Sequence, residues 1–503
     1  MLKLDVKTKY GVIRGYAGES GRCAVFKGVP YAKPPVGELR FAPPEEPEAW
    51  EGVKECFEYG NSPVSDRGDP ASRQGSVPKD EDCLYLNIWT PAESSDEKLP
   101  VMFWIFGGGF QGGTSASPSF DGENLSQKGV IVVNFNYRNG AIGFLALPEL
   151  NARSKSGTSG NYGLLDEIAA LKWVRENIAA FGGDPDRILV HGQSAGGIST
   201  RMLTCSPLSR GMFSRAVVQS GGGLNEADLV RPMDELMDIG VKCMERLGYT
   251  FEDAMTMDAN EFNTAMCDMA QELTGRREVG VFQPCVDGYV LKDVPGVSVA
   301  KGDYDQNVDI IVGTVSGDSS MFCRKVKAEI GENIPLLRGV SYSPSQTWAR
   351  ATVREGLKPV HTYYMERRQP PRAPRPGGPG GPGGQRPQNN GFGGFSYGNQ
   401  CPHGSEIVYV FGNLTQKSDK FEELDCEISE TMMTYWTNFA KTGDPNGEGV
   451  PQWDAYTAEN PVTLHISDSG IAVENIVDSR EADDFIEYTM RHPGMLESLH
   501  LDD

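Results

Sequence analysis

One serine in this chain has neighbours that could make it a nucleophile. Ser194 lies in the middle of the segment GQSAG (192–196), between strand-like Arg187–His191 and helix-like Gly197–Thr204. A serine at such a turn adopts a strained backbone, and the flanking glycines let strand and helix approach closely. Its hydroxyl would lie above the carboxyl edge of a sheet, where it could attack an acyl carbonyl. The alternative is an ordinary glycine-rich turn.

Three consecutive glycines could stabilise the product of that attack. They occupy positions 107–109, directly after the strand-like segment Val101–Ile105. A tetrahedral intermediate carries an oxyanion that needs two or three N–H donors. We therefore assign the backbone N–H groups of Gly108, Gly109 and Ala195 to an oxyanion hole. Without Ser194, a glycine-rich turn that binds nothing would be the commoner interpretation.

A serine nucleophile also needs a base, and His403 is the best candidate among six histidines. It lies in the segment QCPHGSE (400–406), a predicted loop before an apolar run, although a surface histidine is an equal alternative. The others lie in strand-like segments or in the polar C-terminal tail: His191, His361, His465, His492 and His500.

The base in turn needs a carboxylate that fixes its tautomer. Asp318 follows the strand-like segment Asp309–Val312 through the turn Gly313–Gly317, so it too should lie at the carboxyl end of a strand. It could equally cap a helix that begins there, and both roles could hold.

The elements that must position these residues read as an α/β architecture. Short, nearly continuous apolar runs are typical of strands covered on both faces of a parallel sheet. They are Val101–Phe106, Val130–Phe135, Ile188–Val190, Ala216–Gln219 and Ile310–Val312. A helical pattern over Leu164–Phe181 ends at the segment GGDP (182–185). We expect a mostly parallel central sheet flanked by helices in a single domain spanning residues 1–503.

Composition narrows the function classes. The 503 residues include 47 Lys and Arg against 69 Asp and Glu, a net charge of −22, which disfavours binding to nucleic acid or to anionic lipid. No run reaches the ~18–20 apolar residues of a membrane span. The N-terminus does not resemble a signal peptide, so we expect a cytoplasmic protein, with secretion as the alternative if a leader was removed. Ten cysteines show no metal-type spacing, and we expect no metal and no organic cofactor.

One segment departs from this composition. Residues 370–400 hold seven Pro and ten Gly and form a predicted flexible insertion within the domain. Its C-terminal flank carries Phe392, Phe395 and Tyr397 close to His403 in sequence. These aromatic side chains could line or gate a substrate pocket, or the segment could be a solvated tether.

Taken together, the chain resembles the type-B carboxylesterases, the cholinesterase-like branch of the α/β hydrolases that includes bacterial carboxylesterases of the para-nitrobenzyl esterase type. The resemblance runs from about residue 5 to residue 475. The segments that carry it are FKGVPYA (26–32), PPVG (34–37), EDCLYLNI (81–88), NYR (136–138), NYGLLD (161–166), FGGDP (181–185), NFAK (438–441) and GDPN (443–446).

The resemblance implies ester hydrolysis through an acyl-enzyme, with Ser194 as nucleophile, Asp318 as acid and His403 as base. It implies the same oxyanion donors and marks Ser220 as a hydroxyl beside the triad. The expected substrate is a neutral, small to medium ester. The same triad could instead act on amides, lactones or thioesters, and a remote alternative is a binding protein without catalysis.

The chain departs from its relatives at several positions. Gln193 stands where many relatives have Glu, which removes a negative charge beside the histidine. Phe106 replaces a His or Tyr and, with Phe110, adds an apolar wall near the predicted pocket. Secreted relatives often pair the cysteine at Cys83 with an upstream cysteine, but we do not expect Cys56 to be that partner.

Overall fold

A computed structural model gives the fold of the chain. It describes residues 3–65, 77–224, 230–275, 280–318, 334–368, 400–414, 421–477 and 479–493. Phe392, Phe395, Tyr397 and all of the Pro/Gly-rich segment except residue 400 lie outside these ranges. The prediction that they line or gate a pocket therefore stays a prediction.

Sixteen strands are present in the described ranges, most of them in one large sheet. They are β1 (Asp5–Lys7), β2 (Val12–Arg14), β3 (Tyr16–Ala17), β4 (Ala24–Pro30), β5 (Val53–Glu55), β6 (Tyr85–Thr90), β7 (Leu99–Ile105), β8 (Ile131–Phe135), β9 (Gly183–Gln193), β10 (Arg215–Gln219), β11 (Arg231–Pro232), β12 (Cys285–Val286), β13 (Asp309–Val315), β14 (His361–Met365), β15 (Thr463–Ser467) and β16 (Gly470–Glu474). The large sheet has the order β16-β15-β14-β13-β10-β9-β7-β8-β6-β4-β3.

The middle of this sheet is parallel, as the continuous apolar runs predict. Strands β15 to β8 in that order pair in parallel, and antiparallel strands lie at both ends. Side chains alternate between two apolar layers, one on each face of the sheet. Phe103 and Ile105 enter one layer, and Met102 and Trp104 enter the other. Both faces are therefore covered, which explains why the central strands carry few polar residues.

Several of the helices cover these two faces, and others pack on neighbouring helices. The helices are α1 (Glu123–Ser126), α2 (Gly140–Phe144), α3 (Pro148–Arg153), α4 (Tyr162–Asn177), α5 (Ala195–Cys205), α6 (Met233–Leu247), α7 (Phe251–Thr256), α8 (Ala259–Thr274), α9 (Pro295–Ala300), α10 (Ile334–Arg354), α11 (Ile407–Val410), α12 (Glu423–Thr442) and α13 (Arg480–Arg491). Within the described ranges, none of them has both the length and the hydrophobicity needed to cross a membrane.

Several predicted boundaries shift. The helix expected over Leu164–Phe181 is α4 followed by a 3-10 turn at Ile178–Phe181, which Gly182 ends in the left-handed region at φ 83°. Strand β9 begins at once at Gly183. Strand β13 continues to Val315, three residues beyond the predicted Val312, because it pairs with β14 along its whole C-terminal half.

Candidate active site

Ser194 occupies the bend between β9 and α5. Its backbone has φ 59° and ψ −126°, a conformation that L-residues rarely adopt. The Ser194 N–H donates to the Gln219 carbonyl oxygen of the neighbouring strand at 2.9 Å, which ties the bend to the sheet. A methyl group on Gly196 would collide with the carbonyl oxygen of Ile105, so only glycine permits this approach of helix to strand. The bend thus has the geometry predicted from the sequence.

The glycine triplet lies directly against this bend. A methyl group on Gly107 would lie 2.8 Å from the Ser194 Cβ. Gly108 and Gly109 have φ of 141° and 65°, so this loop needs residues without a side chain. Ala195 is the first residue of α5, and its N–H belongs to the free N-terminal turn of that helix. The first residue of the triplet and the first residue of α5 therefore both adjoin Ser194, and the role of Gly108, Gly109 and Ala195 as oxyanion donors stays a prediction.

Aromatic packing fixes the loop that carries the triplet. Phe106 stacks on Tyr137 with centroids 4.5 Å apart, and the Tyr137 hydroxyl donates to the Phe106 carbonyl at 2.9 Å. Phe110 meets Phe144 edge to face at 5.3 Å. Both phenylalanines at the ends of the triplet are fully buried in the core, and their contact with substrate stays a prediction.

Asp318 and His403 meet across 85 residues of chain. The His403 Nδ1 and the Asp318 Oδ1 are 2.6 Å apart, and both side chains are almost completely buried. The second oxygen, Asp318 Oδ2, accepts from the Val315 N–H at 3.1 Å, so the carboxylate is held at the end of β13. This carboxyl group is placed to accept a hydrogen bond from His403 Nδ1.

The turns that carry these two residues are joined to each other. The Gly317 N–H donates to the Cys401 carbonyl oxygen at 2.9 Å, and the Cys401 N–H donates to the Ser316 hydroxyl at 2.8 Å. The loop of His403 is thereby fastened to the turn of Asp318. This explains how a loop far along the chain reaches the carboxyl edge of the sheet.

The other nitrogen of the imidazole faces Gln193. His403 Nε2 and Gln193 Nε2 are 3.1 Å apart. Among the described side chains, no hydrogen bond joins the Ser194 hydroxyl to His403. The histidine is thus placed beside the residue next to Ser194, and the Gln193 amide holds its second nitrogen.

Ser220 directly follows Gln219, the residue whose carbonyl oxygen binds the Ser194 N–H. It also has a positive φ, 49°, and its N–H donates to the Gly313 carbonyl oxygen of β13 at 2.8 Å. Its hydroxyl is buried and makes no hydrogen bond within the described ranges. Ser220 therefore lies next to the strand residue that binds the bend, and in the described part of the chain its hydroxyl makes no hydrogen bond to Asp318 or His403.

The remaining described histidines have structural surroundings. Burial lowers the pKa of His191 to about 3 and that of His361 to about 4. His465 lies between Glu474 at 2.6 Å and Glu366 at 3.2 Å. His492 is next to the Tyr488 carbonyl oxygen at 2.9 Å. Within the described ranges, His403 is the histidine that lies at the bend of Ser194.

Two features near the site were not foreseen. Gln111, two residues after the triplet, is buried and donates to the Phe282 carbonyl oxygen at 2.7 Å. Glu167 on α4 is fully buried and accepts from the Ser199 hydroxyl of α5 at 2.7 Å. A glutamate in a helix normally indicates a solvated face, so the sequence carries no signal for this burial.

The structure describes both cysteines that were considered as a possible disulfide pair. Cys56 and Cys83 are both buried and both free. Burial raises the pKa of the Cys56 thiol to about 12, which makes it a poor nucleophile.

Comparison with known proteins assigns the family. The sequence model of the carboxylesterase family matches residues 3–369 and 336–483. Fumonisin B1 esterase of Sphingopyxis macrogoltabida is 34% identical over 502 residues, covering 93% of this chain and 87% of that protein. Para-nitrobenzyl esterase of Bacillus subtilis is 32% identical over 520 residues, covering 95% and 97%. The solved structure of a thermophilic PNB esterase aligns with a TM-score of 0.78 at 30% identity, covering 96% of this chain and 100% of the other.

The fold is therefore the α/β-hydrolase fold, as the sequence predicts. The chain belongs to the carboxylesterase family and is a carboxylic ester hydrolase.

Proposed function

We propose that this esterase acts through an acyl-enzyme formed on Ser194, with His403 as the base and Asp318 as the acid that orients it. The single observation that carries the proposal is the 2.6 Å contact between His403 Nδ1 and Asp318 Oδ1. Together with the 3.1 Å contact between His403 Nε2 and Gln193 Nε2, it supports a base beside Ser194, whose φ is positive. Backbone strain of this kind concentrates at active sites.

In the proposed reaction, the Ser194 oxygen attacks the ester carbonyl carbon while its proton passes to His403 Nε2. The carbonyl oxygen becomes an oxyanion that accepts hydrogen bonds from the N–H groups of Gly108, Gly109 and Ala195. Collapse of this intermediate breaks the bond to the alcohol oxygen. His403 gives that oxygen its proton, so the alcohol leaves and the acyl group stays on the serine.

The second half repeats these steps with water. His403 takes a proton from water, whose oxygen attacks the acyl carbon and forms a second tetrahedral intermediate. The bond to the serine oxygen then breaks, His403 returns the proton to that oxygen, and the carboxylic acid is released. Throughout, Asp318 stays ionised and stabilises the positive charge of the protonated ring.

The proposed substrate is a neutral ester of small to medium size. The net charge of −22 should disfavour the approach of polyanions and favour neutral or cationic molecules. The relatives named above are a fumonisin B1 esterase and a para-nitrobenzyl esterase, so both compound classes belong in a first panel. Amides, lactones and thioesters would share the acyl-enzyme and belong in the same panel.

Replacing Ser194 by Ala tests the nucleophile. We expect kcat on a p-nitrophenyl ester to fall by about 10³- to 10⁶-fold, because the covalent route is lost while the oxyanion donors remain. Ser156→Ala, at an exposed serine, is the matched control and should keep the original rate. Near-full activity in Ser194→Ala would contradict the proposal.

A further inference from the structure

The amide of Gln193 is held against the catalytic face of the imidazole. Gln193 is the last residue of β9 and pairs with Gln219 of β10, so its backbone is fixed by the sheet. Gln193 is only 4% exposed. The amide also lies over Gly404, where a methyl group would be 3.4 Å from Gln193 Oε1. Strand, loop and imidazole therefore enclose this amide on several sides.

The proton positions follow from the partners of the ring. Asp318 Oδ1 lies 2.6 Å from His403 Nδ1, and a carboxylate can only accept, so Nδ1 carries a proton. In the neutral ring, Nε2 then presents its lone pair. The Gln193 nitrogen, 3.1 Å away, is the donor that this lone pair requires. The contact is therefore favourable to the neutral ring and unfavourable to a ring protonated at Nε2.

We propose that Gln193 is a positioning residue that keeps His403 neutral in the free enzyme, by donating its amide hydrogen to Nε2, and so extends ester hydrolysis to lower pH. The inference rests on the proposed function, since the lone pair that Gln193 holds is the one that takes the proton of Ser194. When substrate is bound, the serine hydroxyl replaces the amide as donor to Nε2. The amide thus acts through His403 and need not touch the substrate.

Other titratable groups also surround the pair. Asp318 comes from the turn after β13, Glu406 and Cys401 come from the loop of His403, and Tyr363 comes from β14. Tyr363 is fully buried; burial above all raises its pKa well above the usual value, and the buried acids Glu406 and Asp318 act in the same direction. All four groups stay in place when only residue 193 is changed. Their influence on His403 therefore cancels when variants at position 193 are compared.

Two replacements of similar length separate the roles of the amide. Gln193→Met keeps the volume but removes the donor, and Gln193→Glu replaces the donor with an acceptor of negative charge. The measurement is kcat/KM for p-nitrophenyl acetate from pH ~5 to ~9, because its acid limb reports the titration of the base in the free enzyme. Each profile is normalised to its own plateau.

We expect the midpoint pH of the acid limb to increase from the original enzyme to Gln193→Met and again to Gln193→Glu. Because Gln193→Met loses one hydrogen bond to the neutral ring, the midpoint of its acid limb should increase by about 0.5–1 pH unit. The charge in Gln193→Glu should move it further by about one unit or more. Gln452→Glu, at an exposed glutamine, is the control and should leave the limb where it is.

If the acid limb of Gln193→Met has a midpoint pH equal to or below that of the original enzyme, the inference is overturned, because the amide then does not favour the neutral ring. This failure is separable from failure of the proposed function. If Ser194→Ala keeps its activity, the proposed function is wrong. If Ser194→Ala is inactive but the three limbs coincide, only the role of Gln193 is wrong. Thermal unfolding of each variant shows whether it is folded.

Discussion

The carboxyl group of Glu167 is fully enclosed by the fold, and its replacement by Gln should stabilise the protein at neutral pH. Glu167 Oε1 accepts from the Ser199 hydroxyl at 2.7 Å, and Oε2 makes no hydrogen bond within the described ranges. Burial above all raises its pKa well above the usual range, and the neighbouring Asp166 contributes in the same direction. The folded chain therefore keeps a proton that the unfolded chain loses above pH ~4.5.

The magnitude follows from this difference in proton binding. Between the unfolded and the folded pKa, the folded state holds one proton more, so the free energy of unfolding falls as pH rises. The loss is about 1.4 kcal/mol per pH unit until the folded pKa is reached. Gln keeps the acceptor for Ser199 and has no charge to lose. Relative to the original protein, Glu167→Gln should therefore gain about 1.4 kcal/mol for each pH unit over this range.

Urea-induced unfolding at several values from pH ~5.5 to ~8 measures this gain. The stability difference between Glu167→Gln and the original protein should widen with pH. Glu149→Gln, at an exposed glutamate of α3, is the control, and its free energy of unfolding should change with pH in the same way as that of the original protein. A difference for Glu167→Gln that stays constant over the whole range would refute the reasoning, since Glu167 would then ionise equally in both states.

Two further replacements test the site geometry. Asp318→Asn should lower kcat by about 10³- to 10⁴-fold, because His403 loses the acceptor that fixes its tautomer. Steady-state ester kinetics measure this loss. A decrease in kcat of less than about tenfold would contradict the assigned role. Gly107→Ala should lose most activity while its circular dichroism stays native, since the new methyl would lie 2.8 Å from the Ser194 Cβ. Gly157→Ala, at an exposed position with φ 72° where a methyl meets nothing within 4 Å, is a control for backbone strain away from the site and should stay active. An active Gly107→Ala would show that the triplet loop is not held against the serine.

Much of the fold could be predicted because the relevant signals are local. Continuous apolar runs identify strands such as β7 and β8, since both faces of those strands are buried. The bend at Ser194 is encoded by its own five residues, whose glycines admit the close contact with Ile105. Strand ends were less predictable, because the extension of β13 to Val315 depends on pairing with a distant strand.

The candidate site was predictable only as far as positions along the chain allow. His403 and Asp318 stand out as residues after strands or in a loop, but their contact depends on how separate turns are joined through Cys401. The family resemblance placed residue 193 beside the histidine, but the contact between the Gln193 amide and His403 Nε2 joins residues 210 positions apart and has no local signal in the sequence. The burial of Glu167 is set by the packing of two helices, and its helix position alone suggests solvent.

Mapping the covalent adduct of a fluorophosphonate tests the central claim most directly. The reagent forms a stable bond with a serine that an adjacent base has activated. After digestion, mass spectrometry should find the added mass on the peptide that contains Ser194, at one equivalent per chain, and labelling should be strongly slowed in His403→Ala. Labelling at another serine, or equal labelling with and without His403, would contradict the account.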